Sequence, residues 1–202
     1  MGPQGHDDEA QSSPADPTTT SGSSAEDYSS TAFTVPLTVT VGPALASPPT
    51  DSPNLLSWDA AEPESGGQAV RFFVPVELYL PGSVTPSAPP EDYLAYLQGP
   101  VAERAQISDV SSTTVDGRPA TLLTLTNDDR PESDLHGALG CPEAGADQGE
   151  GCFGVQPDVI LRLAVVDVDD TTLLAWARIA KATPDAAFEA MFEDMLTTVR
   201  FT

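Results

Sequence analysis

The chain has 202 residues and carries 31 Asp and Glu against 8 Lys and Arg, a net charge of −23. A surface this anionic repels nucleic acid and anionic lipid headgroups, and no basic stripe interrupts it. No apolar run approaches the ~18–20 residues needed to span a bilayer as a helix.

Residues 1–31, MGPQGHDDEAQSSPADPTTTSGSSAEDYSST, contain no Lys or Arg and almost nothing apolar. Such a segment has little apolar surface to offset the entropy of ordering its backbone, and the expectation is a disordered tether. A flexible tether of that length spans roughly 30 Å, more where Pro and like charges extend it. Residues 32–202 suit one domain with a sizeable core. Met1-Gly2 opens directly into polar sequence, without the charged and apolar regions of a signal peptide, and His6 spoils a myristoylation pattern. The expectation is either a cytosolic chain or an exported domain whose targeting segment is absent from this chain, and the spacer favours the second.

Phe33–Val41 (FTVPLTVTV) alternates and is β-branched, which predicts a strand, with Pro36 marking an edge or a bulge. A Pro-rich loop follows, then a short strand at Leu55–Trp58 and a strand at Val70–Leu80 with Pro75 as an irregularity. Pro90, Glu91 and Asp92 suit the first turn of a helix over Glu91–Gln98, stopped by Gly99-Pro100. Gln106–Val115 and Arg118–Thr126 flank Asp116-Gly117, the strongest local signal for a two-residue hairpin. Val159–Val168 and Leu173–Ile179 predict a second hairpin around Asp169-Asp170-Thr171-Thr172. Thr183 and Pro184 read as the start of a closing helix. Its Phe188, Met191, Phe192, Met195 and Val199 share one face, while Glu189, Glu193 and Asp194 point outward. Consecutive strands joined by hairpins predict an α+β fold, a mainly antiparallel sheet covered by two helices.

Cys141 and Cys152 flank PEAGADQGEG, a polar, glycine-rich segment. Two thiols around such a loop suggest a disulfide, which persists in an oxidising compartment. A zinc site needs two more ligands, and only His136 is near. A catalytic thiol wants a basic neighbour, whereas Glu143, Asp147 and Glu150 surround this pair. Asp167, Asp169 and Asp170 at a hairpin tip, and Asp128, Asp129, Glu132 and Asp134 after another strand, are weak calcium candidates. Neither cluster has EF-hand spacing, and Asp is an ordinary turn residue. His136 lies beside Ser133 and Asp134, but residues so close in sequence rarely form a triad, and no GxSxG elbow is present. No catalytic residue, metal ligand set or cofactor fingerprint stands out, and no cofactor is expected.

The elements FTVPLTVTVGP, RFFVPVELYLPGS, EDYLAYLQ, TTVDGRPATLLTL, RLAVVDVDDTTLLAWARIA and MLTTVRF together resemble an actinobacterial exported domain. Over about residues 32–202 the chain is similar to the LpqN-type lipoproteins, whose fold belongs with the PsbP-like α/β/α sandwiches. The resemblance implies a lipid-anchored or secreted cell-envelope domain that acts through binding. The function expected first is therefore a non-enzymatic envelope domain that binds a protein partner or a small apolar ligand. An extracellular hydrolase using carboxylates and a calcium-dependent binding module are the alternatives.

Overall fold

The computed structural model describes residues 24–62, 67–127 and 135–202. In chain order the elements begin with β1 (Glu26–Ser29), β2 (Leu37–Val41), β3 (Thr50–Ser52), β4 (Leu55–Asp59) and β5 (Ala69–Phe73). Then come β6 (Leu78–Tyr79), β7 (Pro86–Ser87) and α1 (Tyr93–Tyr96), which runs on into a π-helical turn at Leu97–Val101. The chain continues with β8 (Ala105–Val115), β9 (Arg118–Asn127), β10 (Val159–Val168) and β11 (Thr171–Ala180). It closes with α2 (Ala186–Thr198) and β12 (Arg200–Phe201).

A seven-stranded sheet in the order β3-β4-β5-β11-β10-β9-β8 forms the body, and its neighbouring strands are antiparallel. Alternation along the strands sends side chains to two buried faces. Val70, Phe72, Ala164, Val166 and Ala175 meet Phe188, Phe192 and Met195 of α2 on one face. Leu37 and Val39, from the small sheet β1-β2-β12, complete that layer. Phe73, Leu123, Leu125, Leu163, Leu174 and Trp176 meet Tyr93, Tyr96 and Leu97 on the other, together with Leu135, Leu139 and Val155 of the segment before β10. The mainly antiparallel sheet with two helices is as expected, but the helices are short and much of the second face is covered by irregular chain.

Several boundaries differ from the sequence reading. The tether was expected to run through residue 31, yet Glu26–Ser29 pairs with Thr38–Val41. Polar strands form where a ladder partner and a side-chain acceptor wait for them, and Asp51 supplies the acceptor: its Oδ2 takes hydrogen bonds from Tyr28 Oη, Thr31 N and Thr31 Oγ1. The rest of the expected tether, residues 1–23, lies outside the described residues. The strand expected from Phe33 starts at Leu37, after Pro36, which has no N–H to give a ladder. Pro75 likewise divides the expected Val70–Leu80 strand into β5 and β6.

Both helices start later than expected. Asp92, expected inside the first turn, instead caps α1, its carboxylate accepting from Ala95 N at 2.8 Å. Gly99-Pro100 does not stop the coil, because the backbone continues as a π turn through Val101, where Ala102 N donates to Leu97 O. Asp185, not Thr183, caps α2, with its Oδ1 3.0 Å from both Ala187 N and Phe188 N. An Asp side chain accepts two orphan donors here, so the helix begins behind it. No helix among the described residues is long and apolar enough to cross a membrane.

Candidate functional site

Cys141 and Cys152 form a disulfide, with Cα atoms 4.1 Å apart. The bond joins two stretches that are already paired. Leu139 N donates to Phe153 O, and Phe153 N donates to Gly140 O at 2.7 Å. Cys141 N donates to Glu77 O, which fixes the pair to the chain between β5 and β6. Gly140 has φ +107, and a Cβ there would lie 2.7 Å from Pro75 Cβ and 3.1 Å from Glu77 O. Only glycine permits that approach. The segment is also held from below, by Tyr93 Oη donating to Leu139 O and Tyr96 Oη donating to Ala138 O. Burial pushes both phenols up, Tyr93 well above its ordinary value with a further contribution from Tyr96. The thiols thus do more than close a floppy loop: they pin a wall to the sheet.

That wall faces a cleft of about 290 Å³ over the central strands β5, β11 and β10 of the sheet. Arg71 and Trp176 are directly opposite in the β5–β11 ladder, and Arg178 is two residues further along the same face. Glu150, Cys152, Phe153 and Gly154 line the facing side. Phe73, Phe153 and Trp176 form a triangle of edge-to-face rings with centroids 5.1–5.7 Å apart. This arrangement suits the ring quadrupoles and makes a stiff floor. The Arg71 guanidinium lies over Phe153, 5.2 Å from the ring centre. Burial lowers the Arg71 pKa, Asp59 opposes that shift and Arg178 adds to it. An arginine nonetheless stays charged.

Arg178 is differently placed. It donates to Gly67 O at 2.6 Å and to Gln156 Oε1 at 3.3 Å, and Asp158 stands 3.7 Å away. Arg71 has no hydrogen bond or ion pair with the described residues; the Phe153 ring lies beneath it, and Asp59 acts on its charge from further away. Since no fully buried side-chain nitrogen or oxygen among the described residues lacks a partner, its N–H groups reach the open part of the cleft. The chemistry on offer is a fixed planar donor above an aromatic floor.

A larger and more open groove, about 760 Å³, runs along the start of α2 and is lined by Ala44, Ala60, Pro184, Phe188 and Met191. Two of its polar groups satisfy each other, Gln68 Nε2 donating to Asp185 Oδ2. We favour the smaller cleft as the site, because a ligand pocket needs a placed polar group as well as apolar surface.

The calcium candidates at the second hairpin do not converge. Asp169 has φ +54 in the turn and pairs with Arg118 at 3.0 Å, while Asp167 points out beside β9 and Asp170 is exposed. Among the described residues, no group of three or more His, Cys, Asp or Glu side chains is placed to hold a metal ion. Asp128, Asp129, Glu132, Ser133 and Asp134 lie outside the described residues. His136 contributes its backbone carbonyl, which accepts from Gln148 Nε2. Sequence reasoning missed Arg71, Phe153, Trp176 and Arg178. The available signal was Arg71 and Arg178, two of eight basic residues, each interrupting an otherwise apolar strand.

No protein-family model matches the chain, and no curated protein matches it. Among solved structures it is similar to the solution structure of cyanobacterial PsbP (CyanoP) from Synechocystis sp. PCC 6803. That likeness has a TM-score of 0.43 and 11% sequence identity over 94% of this chain and 98% of that one.

Proposed function

We propose that this protein is a non-enzymatic binding domain of an oxidising, extracytoplasmic compartment, presented by the residues that precede β1. The observation that carries the reading is that the disulfide-clipped segment is also a wall of the Arg71 cleft. A binding wall secured this way needs a compartment in which the bond survives. The LpqN-type assignment and its PsbP-like sandwich are the finer part of the proposal, and rest on the strand and turn elements quoted above.

The carboxylate-hydrolase alternative lacks such support. Two-carboxylate catalysis needs one acid held protonated above its ordinary value. No observation on the described residues singles out such a pair. The deciding experiment is a thiol count on protein secreted by its native host, with a panel of ester, glycoside and peptide substrates. No free thiol and no turnover are expected. Two free thiols, or turnover that a cleft variant abolishes, would overturn the reading.

A further inference from the structure

We infer that the Arg71 cleft binds a small monoanionic carboxylate carried on a planar apolar body, with the carboxylate on the Arg71 guanidinium and the body against Phe153. The inference rests on the binding-domain reading and names its ligand class.

Four observations converge on it. The first is the contrast among the arginines. Arg118 pairs with Asp169, Arg162 with Glu193, Arg178 with Asp158, and Arg200 stands near Asp116. In a chain with 31 acids to 8 bases, acceptors are abundant, yet none of those described reaches Arg71. A half-buried guanidinium has lost part of its hydration, and its planar fork matches a carboxylate through two parallel N–H···O bonds. The second is the floor. The three-ring triangle holds Phe153 flat beneath the guanidinium, so a planar body has a stacking surface next to the charge. The third is size: about 290 Å³ is the lower end of ligand pockets, which run from ~300 Å³.

The fourth is charge balance. Arg178 already gives hydrogen bonds to Gly67 O and Gln156 Oε1 and has Asp158 nearby. Glu150 lines the opposite side as an exposed acid. The Arg71 charge, which Asp59 offsets only from beyond ion-pair distance, therefore faces the ligand. A single carboxylate balances it, whereas a phosphate dianion would leave excess negative charge beside Glu150 in a molecule of net charge −23.

The test is titration of the intact, oxidised protein with benzoate, benzyl alcohol and phenyl phosphate, followed by calorimetry and by NMR of the indole N–H signals. Benzoate is expected to bind and to move the Trp176 indole signal, leaving that of Trp58, which sits on the other face of the sheet. Benzyl alcohol, similar in shape but uncharged, is expected to bind at least tenfold more weakly, and phenyl phosphate no better than benzoate. Arg71→Met should weaken benzoate at least tenfold, and Arg71→Lys, which keeps the charge and loses the fork, by a smaller factor. Absence of benzoate binding up to about 10 mM, equal affinity for benzyl alcohol, or tighter binding of phenyl phosphate would overturn the inference. So would unchanged binding in a folded Arg71 variant. None of these results bears on the thiol count or the turnover assay, so the ligand class fails separately from the binding-domain reading.

Discussion

Arg162 Nε donates to Glu193 Oε1 at 2.7 Å, tying the middle of β10 to the outer side of α2. Glu189 stands 3.4 Å from the same nitrogen. These two glutamates are where the helical wheel predicts solvent, and they do keep about two-fifths of their side-chain surface exposed, whereas Arg162 is 8% exposed. The other end of the guanidinium bonds Asp109 O and Thr124 Oγ1. Asp109 itself has φ +50 at the bulge between Ser108 and Ser111 of β8. One arginine thus joins helix, central strands and edge-strand bulge.

Because two carboxylates share Arg162, losing one is cushioned by the other. Glu193→Gln should cost about 1 kcal/mol, in line with a half-exposed pair. Glu189→Gln with Glu193→Gln should cost about 2–3 kcal/mol, more than the two single losses together, because the charge on Arg162 then has no counter-ion. Urea unfolding of the two singles and the double measures this. A double variant no less stable than either single would show that the helix does not depend on the pair.

The hairpin between β8 and β9 closes on Asp116-Gly117, with Val115 opposite Arg118 and φ of +49 and +75 at the two turn residues. Positive φ at both positions is what a type I′ turn requires. A Cβ on Gly117 would meet nothing within 4 Å, so substitution is penalised by backbone conformation alone. Gly117→Ala should destabilise by about 1–2 kcal/mol. Asp116→Ala should cost as much, since Asp116 Oδ2 also accepts from Phe201 N of β12. A negligible shift in the melting temperature of Gly117→Ala would count against the turn assignment.

The contrast between this turn and the cleft explains what the sequence could disclose. Asp116-Gly117 carries its structure in two adjacent residues, and the strands it joins alternate clearly, so β8 and β9 were legible almost to the residue. The pairing of β1 was not. Glu26–Ser29 is polar, and it is ordered by Asp51, twenty or more positions away. Helix starts were misplaced for a related reason: Pro184 and Asp185 are both good first-turn residues, and only the observed bonds to Ala187 and Phe188 choose between them. Arg71 and Phe153 are 82 positions apart in the chain, and meet only because β5 pairs with β11 while Cys152 ties the following residue to the sheet. No local pattern encodes that encounter.

The same tie predicts the effect of reduction. Bonding residues 11 apart removes chain entropy worth about 3 kcal/mol from the unfolded state, in the loop-closure account. Cys141→Ser with Cys152→Ser should lower stability by up to that amount. It should also loosen Phe153 from beneath Arg71, because Phe153 directly follows Cys152. Circular dichroism melts with and without reductant measure the first effect, and near-ultraviolet dichroism from the Phe73, Phe153 and Trp176 cluster reports the second. A cluster signal unchanged after reduction would mean that the backbone bonds between Gly140 and Phe153 suffice to hold the wall.

Acid should weaken the fold through its two bonded aspartates. Burial pushes the Asp51 carboxyl up, but the hydrogen bonds from Thr31 N, Thr31 Oγ1, Tyr28 Oη and Ala32 N outweigh it and hold the group below its ordinary range. Gln68 and Phe188 N lower Asp185, burial partly opposes them, and Ala187 N lowers it further. A carboxylate with a folded pKa below its unfolded one stabilises the fold fully above the ordinary carboxylate range, and that contribution disappears as pH falls through the folded value. The melting temperature should therefore be flat near neutrality and drop below about pH 4. Asp51→Asn should melt lower at neutral pH, by the loss of the charged acceptor that orders Tyr28–Ala32, and should show a shallower drop in acid. Asp185→Asn, which keeps capping ability, should be nearly neutral at pH 7 and also flatten the acid limb. Melting curves of the three proteins from neutral pH to about pH 2.5 test the assignment. If the Asp51→Asn curve ran parallel to that of the unaltered protein throughout, the ionised Asp51 would not be what secures the first strand.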